Sequence, residues 1–133
     1  MATPEPIWID RSVVLAAHEL QLEEHGGQQG LRDEGLLESA LGRPRNLWAY
    51  GDPKPDSPAL AAAYAFGLAK NHPFLDGNKR IAAVVCEAFL NTQGVMLLAS
   101  DDEWYKAVLA LAAGETPEQD FAAWLRDHAR PIG

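Results

Sequence analysis

The sequence predicts an all-α fold, a single compact domain of about six helices that occupies residues 1–133. Three observations predict it. The chain has 133 residues, and domains commonly hold about 100–150 residues. Apolar residues recur at intervals of three and four along most of the chain, which is the spacing of one helix face. Glycine, proline and aspartate stand where these patterns start and stop, as they do at helix ends.

The first predicted helix covers residues 10–24. Asp10 is its expected N-cap, because a short acidic side chain accepts a hydrogen bond from a free N–H of the first turn. The apolar face is expected to consist of Val13, Val14, Ala17, Leu20 and Leu22. His18 is placed on the opposite, polar face. Gly26 and Gly27 then end the helix.

A second helix is predicted over residues 33–42, and the glycine and proline that follow are expected to end it. Residues 44–58 contain four prolines, a composition typical of turns. This segment is therefore predicted to be a loop that moves or covers a site. Its aromatic side chains, Trp48 and Tyr50, either pack on the core or grip a ligand or partner.

The rest of the chain is predicted to hold four helices and one short extended stretch. The helices cover residues 57–71, 78–92, 101–113 and 117–129, and the extended stretch covers 95–99. Ser57 is the expected N-cap of the third helix, with Pro58 at the first helical position. That helix is apolar nearly all round, which is typical of a central buried helix. Cys86 lies on an apolar face and is expected to belong to the core.

The charge balance excludes some classes of partner. The formal net charge is −8, so the domain repels phosphate backbones and lacks the basic stripe that nucleic-acid binding requires. No apolar stretch approaches the roughly 20 residues that span a bilayer. Residues 1–11 show no basic region followed by the apolar run of a signal peptide. The sequence therefore predicts a cytoplasmic protein that binds neither nucleic acid nor membrane.

The polar segment NHPFLDGNKR, residues 71–80, lies between two strongly apolar predicted helices. Pro73 forces the chain out of the third helix, and Gly77 allows a tight path into the fourth. His72 is the one side chain in this segment that titrates near neutral pH, so it can take a proton from an attacking hydroxyl. Asp76 is a carboxylate suited to holding Mg²⁺ beside a phosphate.

The start of the fourth helix is a predicted anion site. Free backbone N–H groups and the helix dipole attract phosphate there. The residues that would form this cradle are Gly77, Asn78, Lys79 and Arg80. Lys79 and Arg80 also place two cations at the positive end of a helix, where the dipole favours carboxylates instead. This placement is favourable mainly if a polyanion binds between them. A base, a metal-binding carboxylate and an anion site so close together predict phosphoryl or nucleotidyl transfer.

The nine residues HPFLDGNKR, 72–80, resemble the signature of the Fic/Doc family. The final Lys-Arg pair resembles the Doc (death-on-curing) branch. The Fic branch has Gly-Arg there, and a further Arg where this chain has Ala83. A second stretch, GLRDEGLLESA at residues 30–40 followed by an Arg-Pro pair, is similar to the N-terminal part of Doc proteins. The resemblance covers nearly the whole chain and implies a Fic/Doc-like fold.

The resemblance implies a toxin that a Phd-type antitoxin silences. It also implies a kinase that transfers the γ-phosphate of ATP to a threonine of elongation factor Tu and so blocks translation. On this basis His72 is the general base and Asp76 the Mg²⁺ ligand, while residues 77–80 form the cradle for the ATP phosphates. Phe74 would be a core anchor for the loop, and residues 44–58 correspond to the substrate-positioning flap of the family.

Two alternative functions remain open at this point. A Fic-type adenylyltransferase would move AMP to a protein hydroxyl, and a catalytically inactive member would only bind a partner. An AMP transferase must clamp the β and γ phosphates as its leaving group. Lys79 and Ala83 alter that clamp, which favours γ-phosphate transfer. The intact motif argues against an inactive binding module.

Overall fold

The computed structural model describes residues 4–133, and this part of the chain forms six α-helices and one two-stranded sheet. In chain order they are α1 (Arg11–His25), α2 (Glu34–Tyr50), α3 (Ser57–Asn71), α4 (Asn78–Thr92), β1 (Val95–Leu97), α5 (Asp101–Ala112), α6 (Glu118–His128) and β2 (Ala129–Pro131). The predicted all-α class with about six helices is confirmed. One hydrophobic cluster with members from all six helices forms the core.

α3 is the central helix, because it packs against α2, α4, α5 and α6. Its sequence is rich in alanine, so neighbouring helices can approach its backbone closely. At Gly67 the backbone of α3 approaches α2 closely, because a Cβ atom there would lie 3.0 Å from the Cα of Ala40. Tyr64 is fully buried and its hydroxyl accepts a hydrogen bond of 3.0 Å from the backbone N–H of Ile9. The predicted central position of this helix is confirmed.

α2 is longer than predicted, because Pro44 lies inside it and does not end it. Proline lacks an N–H, so the carbonyl of Ala40 loses its usual helical partner. Pro44 and Trp48 are both buried, and this burial offsets the lost hydrogen bond. The predicted loop over residues 44–58 is therefore wrong for its first half. Trp48 packs on the core, whereas Tyr50 at the end of α2 is 87% exposed.

The buried face of α1 differs from the predicted one. His18 is only 3% exposed, whereas Val13 and Leu20 are 51% and 57% exposed. The inward positions are Val14, His18 and Leu22, which recur at intervals of four. The prediction that His18 lies on the polar face was wrong, because a buried histidine is tolerated where its ring nitrogen has a hydrogen-bond partner.

Asp56, and not Ser57, is the N-cap of α3. The Asp56 carboxylate accepts a hydrogen bond of 3.0 Å from the backbone N–H of Ala59. Ser57 is instead the first residue of the helix. A carboxylate is favoured at this position because it also interacts with the positive end of the helix dipole.

The short extended stretch predicted near residue 95 is strand β1, and its partner β2 was not predicted. The two strands run antiparallel, with Met96 opposite Arg130. Cys86 is fully buried, as expected, and burial raises the pKa of its thiol. Across residues 4–133, every helix is too short or too polar to cross a membrane. The signal-peptide expectation concerns residues 1–11, of which the first three lie outside the described residues.

Candidate active site

The motif loop, residues 72–77, connects α3 to α4 and contains the predicted base. His72 is the C-cap of α3 and adopts the left-handed conformation, with φ 51° and ψ 56°. The following Pro73 disfavours the right-handed helical conformation at His72. Phe74 is 1% exposed and is part of the core, as predicted. The loop is thus anchored at Phe74 while His72 remains exposed.

Gly77 is the N-cap of α4, with φ 76°, and it offers no side chain to the first turn. The early N–H groups of α4 therefore have no side-chain partner from the cap. Free N–H groups at a helix start, together with the helix dipole, form an anion site. The structure thus provides the backbone features on which the predicted phosphate cradle depends.

One cavity of about 330 Å³ brings together all six of the predicted site residues. It is lined by His72, Leu75, Asp76, Gly77, Asn78, Lys79, Arg80 and Tyr105. Tyr105 belongs to α5 and was not predicted as a site residue. No pattern in the sequence around Tyr105 predicts a site, because Tyr105 reaches the cavity only through the packing of α5 against α4.

Asn78 is 8% exposed, and its side chain is hydrogen-bonded to the motif loop. Its amide group donates to the carbonyl of Phe74 at 3.0 Å and accepts from the N–H of Phe74 at 2.9 Å. This pair of bonds satisfies both backbone groups of a buried residue. The contribution of Asn78 to a phosphate cradle would therefore come from its backbone N–H and not from its side chain.

Asp76 presents an exposed carboxylate to the cavity. Its Oδ1 accepts from the N–H of Gly77 at 2.9 Å, and its Oδ2 accepts from the N–H of Gln28 at 3.2 Å. Each oxygen keeps a free lone pair for a cation. Within residues 4–133, no three His, Cys, Asp or Glu side chains converge on a metal site. Asp76 suits Mg²⁺, which commonly takes one or two carboxylates and completes its shell with substrate phosphates and water.

Lys79 and Arg80 are the cations of the cavity. None of the ion pairs in residues 4–133 includes either residue, whereas Arg11, Arg43, Lys106 and Arg126 are each paired with a carboxylate. Two positive charges with no carboxylate partner among residues 4–133 therefore lie at the positive end of α4, where the helix dipole disfavours cations. This arrangement is favourable when an anion of high charge lies between them.

His18 is a site-supporting residue that the sequence analysis missed. Its Nε2 lies 2.7 Å from the carbonyl oxygen of Asp76, and its ring stacks on Phe74 with centroids 3.8 Å apart. The ring thus fixes the carbonyl of Asp76, next to the start of α4. A signal was present in the sequence, because His18 lies midway between Val14 and Leu22 at helical spacing.

A second chain segment, residues 30–33, pairs with the motif loop through the backbone. Leu31 and Phe74 form an isolated antiparallel bridge. The N–H of Arg32 donates to the carbonyl of Pro73 at 2.7 Å, and the N–H of Leu75 donates to the carbonyl of Gly30 at 3.0 Å. The first residues of the stretch GLRDEGLLESA therefore have a structural role, because they are hydrogen-bonded to the motif loop.

The profile of the Fic/DOC family matches residues 8–90, which include α1 to α3, most of α4 and the whole motif loop. The chain therefore belongs to the Fic/Doc family.

Two relatives place it in the Doc branch of that family. "Toxin Doc" of Mycolicibacterium smegmatis is 41% identical over 96 residues, which cover 71% of this chain and 71% of that protein. "Protein kinase doc" of Escherichia phage P1 is 31% identical over 113 residues, which cover 85% of this chain and 88% of that protein. The resemblance found in the Lys-Arg ending of the motif is thereby confirmed.

Proposed function

We propose that the chain is a Doc-type toxin and a protein kinase. It would transfer the γ-phosphate of ATP to a threonine hydroxyl of elongation factor Tu, and a Phd-type antitoxin would silence it. The observation that carries this proposal is the single cavity in which a histidine, a carboxylate, a helix N-terminus and two unpaired cations meet. The names of the two relatives, a toxin and a protein kinase, support the same function.

The reaction needs a base, and His72 is the proposed one. The threonine oxygen attacks the γ-phosphorus, the bond from that phosphorus to the β,γ-bridging oxygen breaks, and ADP leaves. The hydroxyl proton passes to His72, whose exposed side chain lines the cavity. Proton transfer of this kind typically contributes a factor of about 10²–10⁴ to the rate.

The remaining groups hold and neutralise the triphosphate. The N–H groups at the start of α4, with Lys79 and Arg80, would bind the phosphate oxygens in the positions predicted for the cradle. Asp76 would hold Mg²⁺, which would offset the negative charge of the phosphates. Catalysis in this class is mainly positioning and electrostatic stabilisation, so a small helical domain can perform it.

The choice between γ-phosphate and AMP transfer rests on α4. Ala83 is 8% exposed and lies one turn after Arg80, at the position where the Fic branch has a further Arg, so this chain lacks that arginine as a clamp on the outer phosphates. Lys79 adds a charge where the Fic branch has glycine. Both differences favour presentation of the γ-phosphate over that of the α-phosphate.

The direct test is transfer of label from ATP to elongation factor Tu. Label at the γ position is expected to appear on the protein, and label at the α position is not. Lys79→Ala is expected to lower incorporation by about tenfold, because it removes one charge-assisted contact of about 1.5 kcal/mol. Lys106→Ala is the matched control, since this exposed lysine lies outside the cavity.

The labelling test has two other outcomes. Label arriving from the α position would identify an adenylyltransferase. An absence of label from either position, with elongation factor Tu and with a whole cell extract, would identify a binding module. Either result would overturn the kinase proposal.

A further inference from the structure

We propose that Arg32 is a positioning residue that holds His72 in its catalytic conformation. This inference rests on the proposed function, because it concerns how the base of that reaction is held. Arg32 lies in the segment that pairs with the motif loop, immediately before α2. It does not line the cavity itself.

Arg32 donates hydrogen bonds to three consecutive carbonyl groups around the base. One nitrogen of the guanidinium end contacts the carbonyl of Asn71 at 2.7 Å, and Nε contacts the carbonyl of His72 at 2.7 Å. The backbone N–H of Arg32 contacts the carbonyl of Pro73 at 2.7 Å. The backbone from 71 to 73 is therefore fixed to one residue of a distant segment.

The first two of these carbonyls belong to the C-terminal end of α3. The last carbonyls of a helix lack partners within the helix, and a cation there interacts favourably with the negative end of the dipole. The planar guanidinium reaches two carbonyls at once, which the point charge of a lysine cannot do in a fixed geometry. Arg32 thus replaces two missing helical hydrogen bonds and adds a matched charge.

The conformation of His72 explains why such a clamp is needed. Among residues 4–133, His72 is the only residue other than glycine with a positive φ, at 51°. This conformation is unfavourable for a residue with a Cβ, and it persists only where the surroundings enforce it. Because backbone dihedrals set the direction of the Cα–Cβ bond, release of the carbonyls would move the imidazole. A displacement of about 1 Å can lower a rate by about 10²-fold.

The test compares the variants Arg32→Gln and Arg32→Lys with wild type. Arg11→Gln is the control, because Arg11 forms an exposed ion pair with Glu34 outside the cavity. We expect both Arg32 variants to lower kcat by about tenfold to a hundredfold. The KM for ATP is expected to stay within about twofold, since Arg32 does not touch the phosphate cradle. The control is expected to keep wild-type values of both constants.

A second measurement follows His72 without any turnover. The backbone ¹⁵N and ¹³Cα chemical shifts of His72 report its φ and ψ, and they are expected to leave the left-handed range in both Arg32 variants. This measurement decides the role of Arg32 even if the wild-type protein transfers no phosphate, in which case only the proposed function fails. If Arg32→Gln does not fold, Arg32→Lys supplies both measurements.

Three results would overturn the positioning role. Unchanged His72 shifts in the variants would show that Arg32 does not set this conformation. A raised KM for ATP at wild-type kcat would make Arg32 a nucleotide-binding residue. Full activity of Arg32→Lys would show that charge alone suffices and that the two-carbonyl geometry is irrelevant.

Discussion

Two connections between helices frame α3, and they are held in different ways. The motif loop at its C-terminal end is hydrogen-bonded to α1, to residues 28–33 and to α4, and the bonds to α1 and α4 come from the buried side chains of His18 and Asn78. The connection at its N-terminal end, residues 51–56, is held by exposed side chains. Lys54 donates to the carbonyl of Trp48, and Asp56 pairs with Arg126. The connection that carries His72 is therefore the more extensively bonded of the two.

The largest effect is expected from the base itself. His72→Ala is expected to lower phosphate transfer by about 10²–10⁴-fold, because it removes the proton acceptor. The melting temperature is expected to stay close to that of wild type, since the side chain is exposed and makes no hydrogen bond with residues 4–133.

His25→Ala is the matched control for this variant, because it removes an exposed imidazole outside the cavity. Wild-type activity in His72→Ala, measured in the same labelling assay, would remove His72 from the mechanism.

The next effect tests the support beneath the motif loop. Asn78→Ala is expected to lower the free energy of unfolding by about 2–4 kcal/mol, because it leaves two buried backbone groups of Phe74 without partners. Urea unfolding measures this loss. Asn91→Ala, at an exposed position of the same helix, is expected to change it by less than about 0.5 kcal/mol. Equal stability of the two variants would mean that the loop does not depend on Asn78.

The smallest effect is expected at the other connection. The hydrogen bond from Arg126 lowers the pKa of Asp56 below its usual 3.8. A lowered pKa in the folded protein means that the contribution of Asp56 to stability is present above the usual pKa and is lost as pH falls through the folded value. Both partners are half exposed, so the ion pair contributes less than about 1 kcal/mol.

Asp56→Asn tests this directly by urea unfolding at neutral pH and near pH 3. The variant is expected to be slightly less stable than wild type at neutral pH, and the difference is expected to shrink in acid. A difference that grows in acid would contradict the assigned sign.

The sequence predicted those parts of the fold that depend on local chemistry. α3 and α4 begin and end at the predicted residues, because Pro58, Pro73 and Gly77 impose their backbone preferences whatever surrounds them. Pro44 misled the prediction, since burial of α2 against α3 outweighs the usual effect of a proline.

The candidate site likewise has one part that the sequence predicted and one part that it did not. Seven of the eight cavity-lining residues fall within residues 72–80, so the motif reveals them. His18, Arg32 and Tyr105 reach the loop or the cavity only through the packing of α1, the segment before α2, and α5. Tertiary contacts of this kind leave no local pattern in the chain. His18 is the exception, because its helical spacing between buried residues was a usable signal.

The proposed function requires that this cavity deliver a phosphoryl group and not a nucleotide. Intact-mass measurement of purified elongation factor Tu, after incubation with this protein, ATP and Mg²⁺, tests it most directly. We expect a mass increase of one phosphoryl group, which peptide fragmentation should locate on a threonine, and no increase when His72→Ala replaces the wild type. An increase equal to an AMP group, or an unchanged mass with the wild-type protein, would contradict it.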